Sequence, residues 1–333
     1  MISRDYPYMY ARVSAKKAKL LDERDYENLW KMQPNGIARN LGERDYKKDI
    51  DSLGSEYEGV TLVELALMRN ISRTMSHLVE ISPDRLKPVI SGYLRRYDIL
   101  SIKRLLRWKQ GGEQGEITSF LVPVGSYTLE ELEELSEKSF EEIVDSIEFP
   151  ESDINYKEAL TEQTDIRKIE RDLDRAYYKD LQSIKGKVGS IWFDKFIDRE
   201  IEYENLKIAL RLKKHGLGEE EIKEWMVSEE KSSLVEDVIS SDSFDEALEV
   251  VKTSIGREKF DNGSSLEEVE KAIESERLER AMRTVHVEPL SATSILGYIV
   301  AKVTEVNNLR MLIRAKETGI KNEETIKKNL VVA

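Results

Sequence analysis

The chain has 333 residues, 40% hydrophobic and 35% charged, with only 17 glycines and 7 prolines, a composition of soluble helical proteins rather than disordered ones. It contains no cysteine, which excludes a disulfide framework and thiolate-ligated metals. A net charge of -13 disfavours nucleic acid or an anionic lipid surface as the main ligand, because both demand concentrated positive charge.

Apolar residues recur at helical spacing along almost the whole chain, and no run of alternating β-branched residues bounded by turns interrupts them; the expected fold class is all-α. The opening MISRDYPYMYARVSAKKAK carries acids and tyrosines where a signal peptide needs an apolar core, so secretion is not expected. A first helix is predicted from about Pro7 to Leu21 and a second from the acids of Asp22 to Asp25, which suit the positive end of a helix dipole. The sequence ERDY at 23–26 and again at 43–46 is read as two helix starts. Gly111 to Thr128, with Gly111, Gly112, Gly115, Pro123 and Gly125, reads as a linker. Thr128 and Glu131 then form a capping-box pattern for the acidic helix TLEELEELSEK. In HGLGEEE, at 215–221, Gly216 closes one helix before acids open the next, and GREKFDNGSS, at 256–265, reads as an internal loop. The least polar stretch, Pro289 to Ala301, falls well short of the roughly 20 residues that span a bilayer.

One pattern recurs three times. Residues 101–112 read SIKRLLRWKQGG, 205–216 read NLKIALRLKKHG and 308–319 read NLRMLIRAKETG, at offsets of 104 and 103. An acid stands three residues before each copy: Asp98, Glu202 and Glu305. SFEE at 139–142 echoes SFDE at 243–246, Ile169-Glu170 echoes Ile273-Glu274, and Val63-Glu64 fits the same place with a shift of two. Length alone suggests about two domains of roughly 150 residues, but the repeat argues for three homologous helical bundles: 1–112, 113–216 and 217–333. Such units are too long for single solenoid turns, which run roughly 34 to 47 residues. Three bundles suggest a pseudo-threefold object.

Within the copies, Ile99, Ile102, Leu105 and Leu106, then Tyr203, Leu206, Ala209 and Leu210, then Val306, Leu309, Leu312 and Ile313 form one apolar stripe and are expected in the core. Gly112, Gly216 and Gly319 occupy the place of a left-handed helix cap. The acids Asp98, Glu202 and Glu305 lie close to the stripe and are expected to be partly buried, with a cationic or hydrogen-bonding partner on another helix. Arg107, Arg211 and Arg314 lie about opposite, and Lys103, Lys207 and Arg310 share much of their face. A helix patterned on both sides contacts something on both. The cations either pack within and between repeats or offer a basic face to a partner.

Catalytic constellations are not evident. GGEQGE follows a helix C-terminus, the wrong end for a phosphate, and no Walker-type sequence occurs elsewhere. His77, His215 and His286 are far apart and fit no metal-ligand spacing, and His215 reads as a C-cap residue. Paired carboxylates carry no signal among 65 acids, and no nucleophile turn is present. YLRRYDILSIKRLLRWK sets six cations against one acid with aromatics interleaved, yet its apolar stripe is needed for folding and its sister helices are less basic. No catalytic, cofactor or metal residue is assigned.

YLRRYDILSIKRLLRWKQGG with its two echoes, the opening YPYMYARVSAKKAKLL, LGERDYKKDID and the closing ILGYIVAKVTEVNNLRMLIRAKETG together resemble the C subunit of the archaeal-type (A/V-type) ATP synthase, counterpart of the d subunit of vacuolar ATPases. The family's Tyr-Asp-Ile-x-Asn signature has Ser101 at its last place here, while Asn205 and Asn308 keep the amide in the other copies. The resemblance implies a funnel-shaped, pseudo-threefold, all-helical protein on the cytoplasmic face of the membrane, without a span or cofactor of its own. It implies a non-catalytic central-rotor subunit that seats the coiled-coil central-stalk subunits on one side and rests on the membrane rotor ring with the other. Torque would then pass between them for ATP-linked proton or sodium transport. The alternative from the residues alone is a helical scaffold or adaptor for an unrelated partner.

Overall fold

The computed structural model describes residues 5–114, 117–149, 152, 154–159, 165–230, 232–260, 265–287, 291–319, 327 and 329–332. Regular structure among them is entirely helical. In chain order, α1 (Asp5–Lys17), α2 (Glu23–Trp30), α3 (Pro34–Gly42) and α4 (Lys47–Leu53) lead into the long α5 (Gly59–Glu80) and α6 (Lys87–Gln110). Short helices α7 (Leu129–Glu137), α8 (Phe140–Asp145) and α9 (Tyr156–Ala159) precede a second long pair, α10 (Ile166–Ser183) and α11 (Ile191–Lys214). Then α12 (Glu219–Lys223), α13 (Ser233–Ser240) and α14 (Phe244–Ile255) precede a third, α15 (Leu266–Val287) and α16 (Ala292–Glu317). Each copy of the repeated pattern closes the second helix of such a pair.

The helix ends follow side-chain chemistry. Asp22 caps α2 reciprocally with Asp25, as do Thr128 and Glu131 at α7. The SFEE and SFDE echoes are also caps: Ser139 with Glu142 opens α8 and Ser243 caps α14. Gly112, Gly216 and Gly319 have φ of 78°, 78° and 71°. The Gly112 and Glu113 N–H groups return to Lys109 and Trp108, and those of Gly216 and Leu217 to Lys213 and Leu212, so α6 and α11 end in Schellman motifs. His215 is the C-cap residue of α11.

Two expectations change. The second ERDY is not a helix start: 43–46 form turns after α3, and α4 begins at Lys47. Asp22 gives the first ERDY its cap; the second follows the end of α3 directly. Nor does Gly111 to Thr128 behave as a linker. It forms a short 3-10 turn (Ile117–Phe120) and buries Leu121, Val122 and Val124; residues 115 and 116 lie outside the described set. The expected 256–265 loop holds a 3-10 turn, Arg257–Lys259, and Ser265 caps the next helix, with 261–264 outside the described set.

The chain divides into two compact units, Met1–Ile143 with Ala281–Ala333, and Val144–Arg280. In the first, α16 packs on α1, α5 and α6. Residues 292–303 of α16 are all buried, so residues 292–301 of the least polar stretch lie in a helix at the core of the protein. Gly297 permits close packing there: a Cβ would lie 2.4 Å from the Ala281 carbonyl oxygen on α15. No helix among the described residues is long and apolar enough to cross a membrane. In the second unit, Leu206 and Leu210 of α11 meet Val235, Val238, Ala247, Val251, Val269 and Ile273 from α13, α14 and α15.

Candidate functional site

The repeated helix buries the same apolar stripe and the same acid three times. All twelve stripe residues are buried, none more than 5% exposed. The acids behind them are also buried: Asp98 is 0% exposed, Glu202 8% and Glu305 4%.

Each acid is satisfied differently. Asp98 accepts the Ser126 N–H at 2.8 Å, the Ser126 hydroxyl at 2.9 Å and the Tyr127 N–H at 3.2 Å. These donors come from the segment read as a linker, not from a helix. Burial pushes the Asp98 carboxyl up to about 6, against the pull of those hydrogen bonds and of the Arg95 charge. Glu202 accepts from Arg199 one turn earlier on its own helix. Glu305 accepts the Leu21 N–H at 2.6 Å, the Tyr46 hydroxyl at 2.6 Å and the Lys302 ammonium at 2.8 Å. Lys302, 1% exposed, also donates to the Tyr46 oxygen at 2.9 Å and sits 4.1 Å from that ring's centre. Burial, reinforced by the Glu305 charge, raises the Tyr46 phenol well above its ordinary value. Tyr46 belongs to the second ERDY, whose sequence pattern pointed to no role at a site.

A repeated partner escapes the twelve-residue pattern. Arg95, Arg199 and Lys302 each stand three residues before the acid, which puts a cation on the acid's own helix face in all three copies. Extending the repeat window by six residues towards the N-terminus displays it.

The predicted cations divide. Lys207 meets Glu204 and Glu274, each at 2.9 Å; burial would lower its ammonium, but the two carboxylates raise it above the ordinary value. Arg211 holds Glu270 with both Nε and Nη2. The pairs with Glu274 and Glu270 join α11 to α15, alongside a buried one in which Arg277 grips both oxygens of Glu200 at 2.7 and 2.8 Å. Arg314 joins α16 to α5 through Glu64 at 2.6 Å. Arg310 is pushed down to about 10 by burial and then by the neighbouring charge of Arg314, with Arg104 contributing. Lys103 is half-buried and Arg107 exposed. Thus Glu274 and Glu64, marked by the echoes, are the counter-charges of motif cations, and Ile169, Ile273 and Val63 beside the echoed acids are buried.

The first residue of each copy does one further job. The Ser101 hydroxyl accepts the Val122 N–H at 3.0 Å; Asn205 Oδ1 accepts the Val227 N–H at 3.0 Å. Asn308 Oδ1 accepts the Val331 N–H at 3.1 Å while its Nδ2 donates to the Val331 carbonyl at 2.7 Å. In every copy this side chain fastens a chain segment some twenty residues downstream. Ser101 keeps the fastening because its hydroxyl still supplies the acceptor.

This architecture is one of buried acids, bracing ion pairs and fastened segments. His286 lies near Lys17 and His77 near Glu80, and no metal-ligand cluster occurs among the described residues. Comparison with known proteins gives it a family. The family described as ATP synthase (C/AC39) subunit matches residues 9–328. The C subunit of the A-type ATP synthase of Methanococcoides burtonii is 35% identical, with 99% of this chain and 95% of that protein covered. Its counterpart in Archaeoglobus fulgidus is 31% identical over 98% of this chain and 96% of its own, and that of Haloferax volcanii 27% identical over 98% and 97%. The chain therefore belongs to the ATP synthase (C/AC39) subunit family, as a non-catalytic member of a membrane-associated rotary complex whose other subunits are its partners.

Proposed function

We propose that the chain is the central-rotor adaptor of an A/V-type ATP synthase, coupling the coiled-coil central stalk to the membrane rotor ring and transmitting torque for ATP-linked proton or sodium transport. It lies peripherally on the cytoplasmic face of the membrane, held by the ring. The observation that carries this reading is similarity to the C subunits of A-type ATP synthases over nearly the whole length of both chains.

The packing is compatible with a mechanical role. A torque-bearing part must not yield internally, and close-packed cores with satisfied polar networks have low compliance. In this reading the chain is three homologous repeats, 1–112, 113–216 and 217–333. Lys207, Arg211 and Arg314 serve as braces, Asp98 and Glu305 hold their helices against the segments around them, and Glu202 is paired within its own helix.

The test is a titration of the full chain against the central-stalk heterodimer from the same genome, at low and high salt. Saturable one-to-one binding that weakens as salt rises is expected. Absence of binding at both salts, with both proteins folded, would leave a helical scaffold for an unrelated partner.

A further inference from the structure

The three fastened segments differ in how firmly they are held. Around Ser101, the segment Leu121, Val122 and Val124 is at most 8% exposed. Around Asn205, Met226 and Val227 are at most 4% exposed, and Arg175 also donates to the Glu224 and Met226 carbonyls. At the third site Asn329 is exposed, and Leu330, Val331 and Val332 are only half-buried. There the segment lies in a cleft walled by Tyr26, Trp30 and Leu312, with about 50 Å³ left unfilled. Its anchors include the two Asn308 hydrogen bonds and an ion pair of Lys327 with Glu27 at 2.9 Å, both of whose partners are more than 40% exposed. Exposed ion pairs hold weakly, and segments with few buried contacts open locally before the body of the protein does.

The cleft reads main chain rather than one sequence. Asn308 is 4% exposed, and the Tyr26 hydroxyl hydrogen-bonds its side chain. Its amide offers one donor and one acceptor, the pair that any extended peptide unit satisfies. The apolar wall of Tyr26, Trp30 and Leu312 suits aliphatic side chains, and Glu23 and Glu27 at the rim suit a preceding cation.

We propose that this cleft between α2 and α16 is a peptide-binding site whose resident occupant is residues 329–332, and that an extended aliphatic segment of another polypeptide, led by a basic residue, takes its place. Val331→Pro in the full chain removes the N–H that Asn308 accepts and loosens the resident segment. A fluorescent peptide of residues 327–333, KKNLVVA, is expected to bind this variant saturably and at least tenfold more tightly than the unmodified chain. Adding Asn308→Ala should cost at least tenfold again. A helical, cooperatively melting Val331→Pro chain that does not bind the peptide, or binds it irrespective of Asn308, overturns the proposal. Hydrogen exchange of the unmodified chain is decisive even if the variant misfolds. The Val331 amide should exchange by local opening at least tenfold faster than core amides of α16 such as Leu309, and exchange only with global unfolding would refute a displaceable segment.

Discussion

Asp98 shows how much one buried carboxylate organises. Gly125 has to be glycine because a Cβ there would lie 2.2 Å from the carboxylate atoms of Asp98. Gly125→Ala should therefore cost about 2–4 kcal/mol, through collision and loss of the Ser126 and Tyr127 donors. Paired with Asp98→Ala, which opens the space, it should cost less than the two single changes summed; strict additivity in denaturant melts would contradict the contact. Asp98→Ala alone should destabilise by about 2 kcal/mol, since it strands buried donors, whereas Glu134→Ala, at an exposed helix position, should stay within about 0.5 kcal/mol. Equal melting temperatures would count against the assigned role.

The same residue fixes a pH dependence. Between its unfolded value of 3.8 and its folded value of about 6, the folded chain holds a proton on Asp98 that the unfolded chain has released. Unfolding then releases protons, so stability falls as pH rises through this window, and the favourable contribution is complete only below it. Relative to Asp98→Asn, the wild-type chain should lose about 2 kcal/mol between pH 4 and 7. Urea titrations of both proteins across that range measure it, and a constant difference would show that the carboxyl titrates normally.

At the scale of elements, the recurring structural device is a helix that fastens its own downstream segment. Asn205→Ala strands the Val227 N–H in a site only 4% exposed, so it should cost about 1–3 kcal/mol. Asn205→Ser should recover part of that loss, because Ser101 does the same work at Val122 in the first copy. Exchange at the Val227 amide is the direct readout, and unchanged protection in Asn205→Ala would exclude the fastening. The stripe, the glycine caps and the capping boxes were legible in sequence because they depend on spacing within one helix. The fastened valines were not, since nothing local marks Val122, Val227 or Val331 as partners of residues about twenty positions away.

At the scale of the molecule, each of the two compact units has a polar network of its own residues. In Val144–Arg280, α11 and α15 are joined by Arg277 with Glu200, Lys207 with Glu274 and Arg211 with Glu270. Arg277→Met leaves Glu200, 4% exposed, without its bidentate partner and should destabilise by about 3–5 kcal/mol. Exchange mapped along the chain should rise mainly within residues 144–280, with the core of α5 and α16 much less affected. A uniform rise across both units would mean that they unfold as one.

The sequence by itself determined the helical class, the three copies of the motif helix, its buried stripe, its caps and its family resemblance, because each is written in residues a few positions apart or in recurrence along the chain. Tertiary structure decided the rest. Which donors surround Asp98, why Tyr46 and Lys302 meet Glu305, and which glutamates answer Lys207, Arg211 and Arg314 depend on contacts between residues far apart in the chain. A buried charge needs a partner, and the helical pattern of its own sequence can announce the need while leaving the choice to the fold.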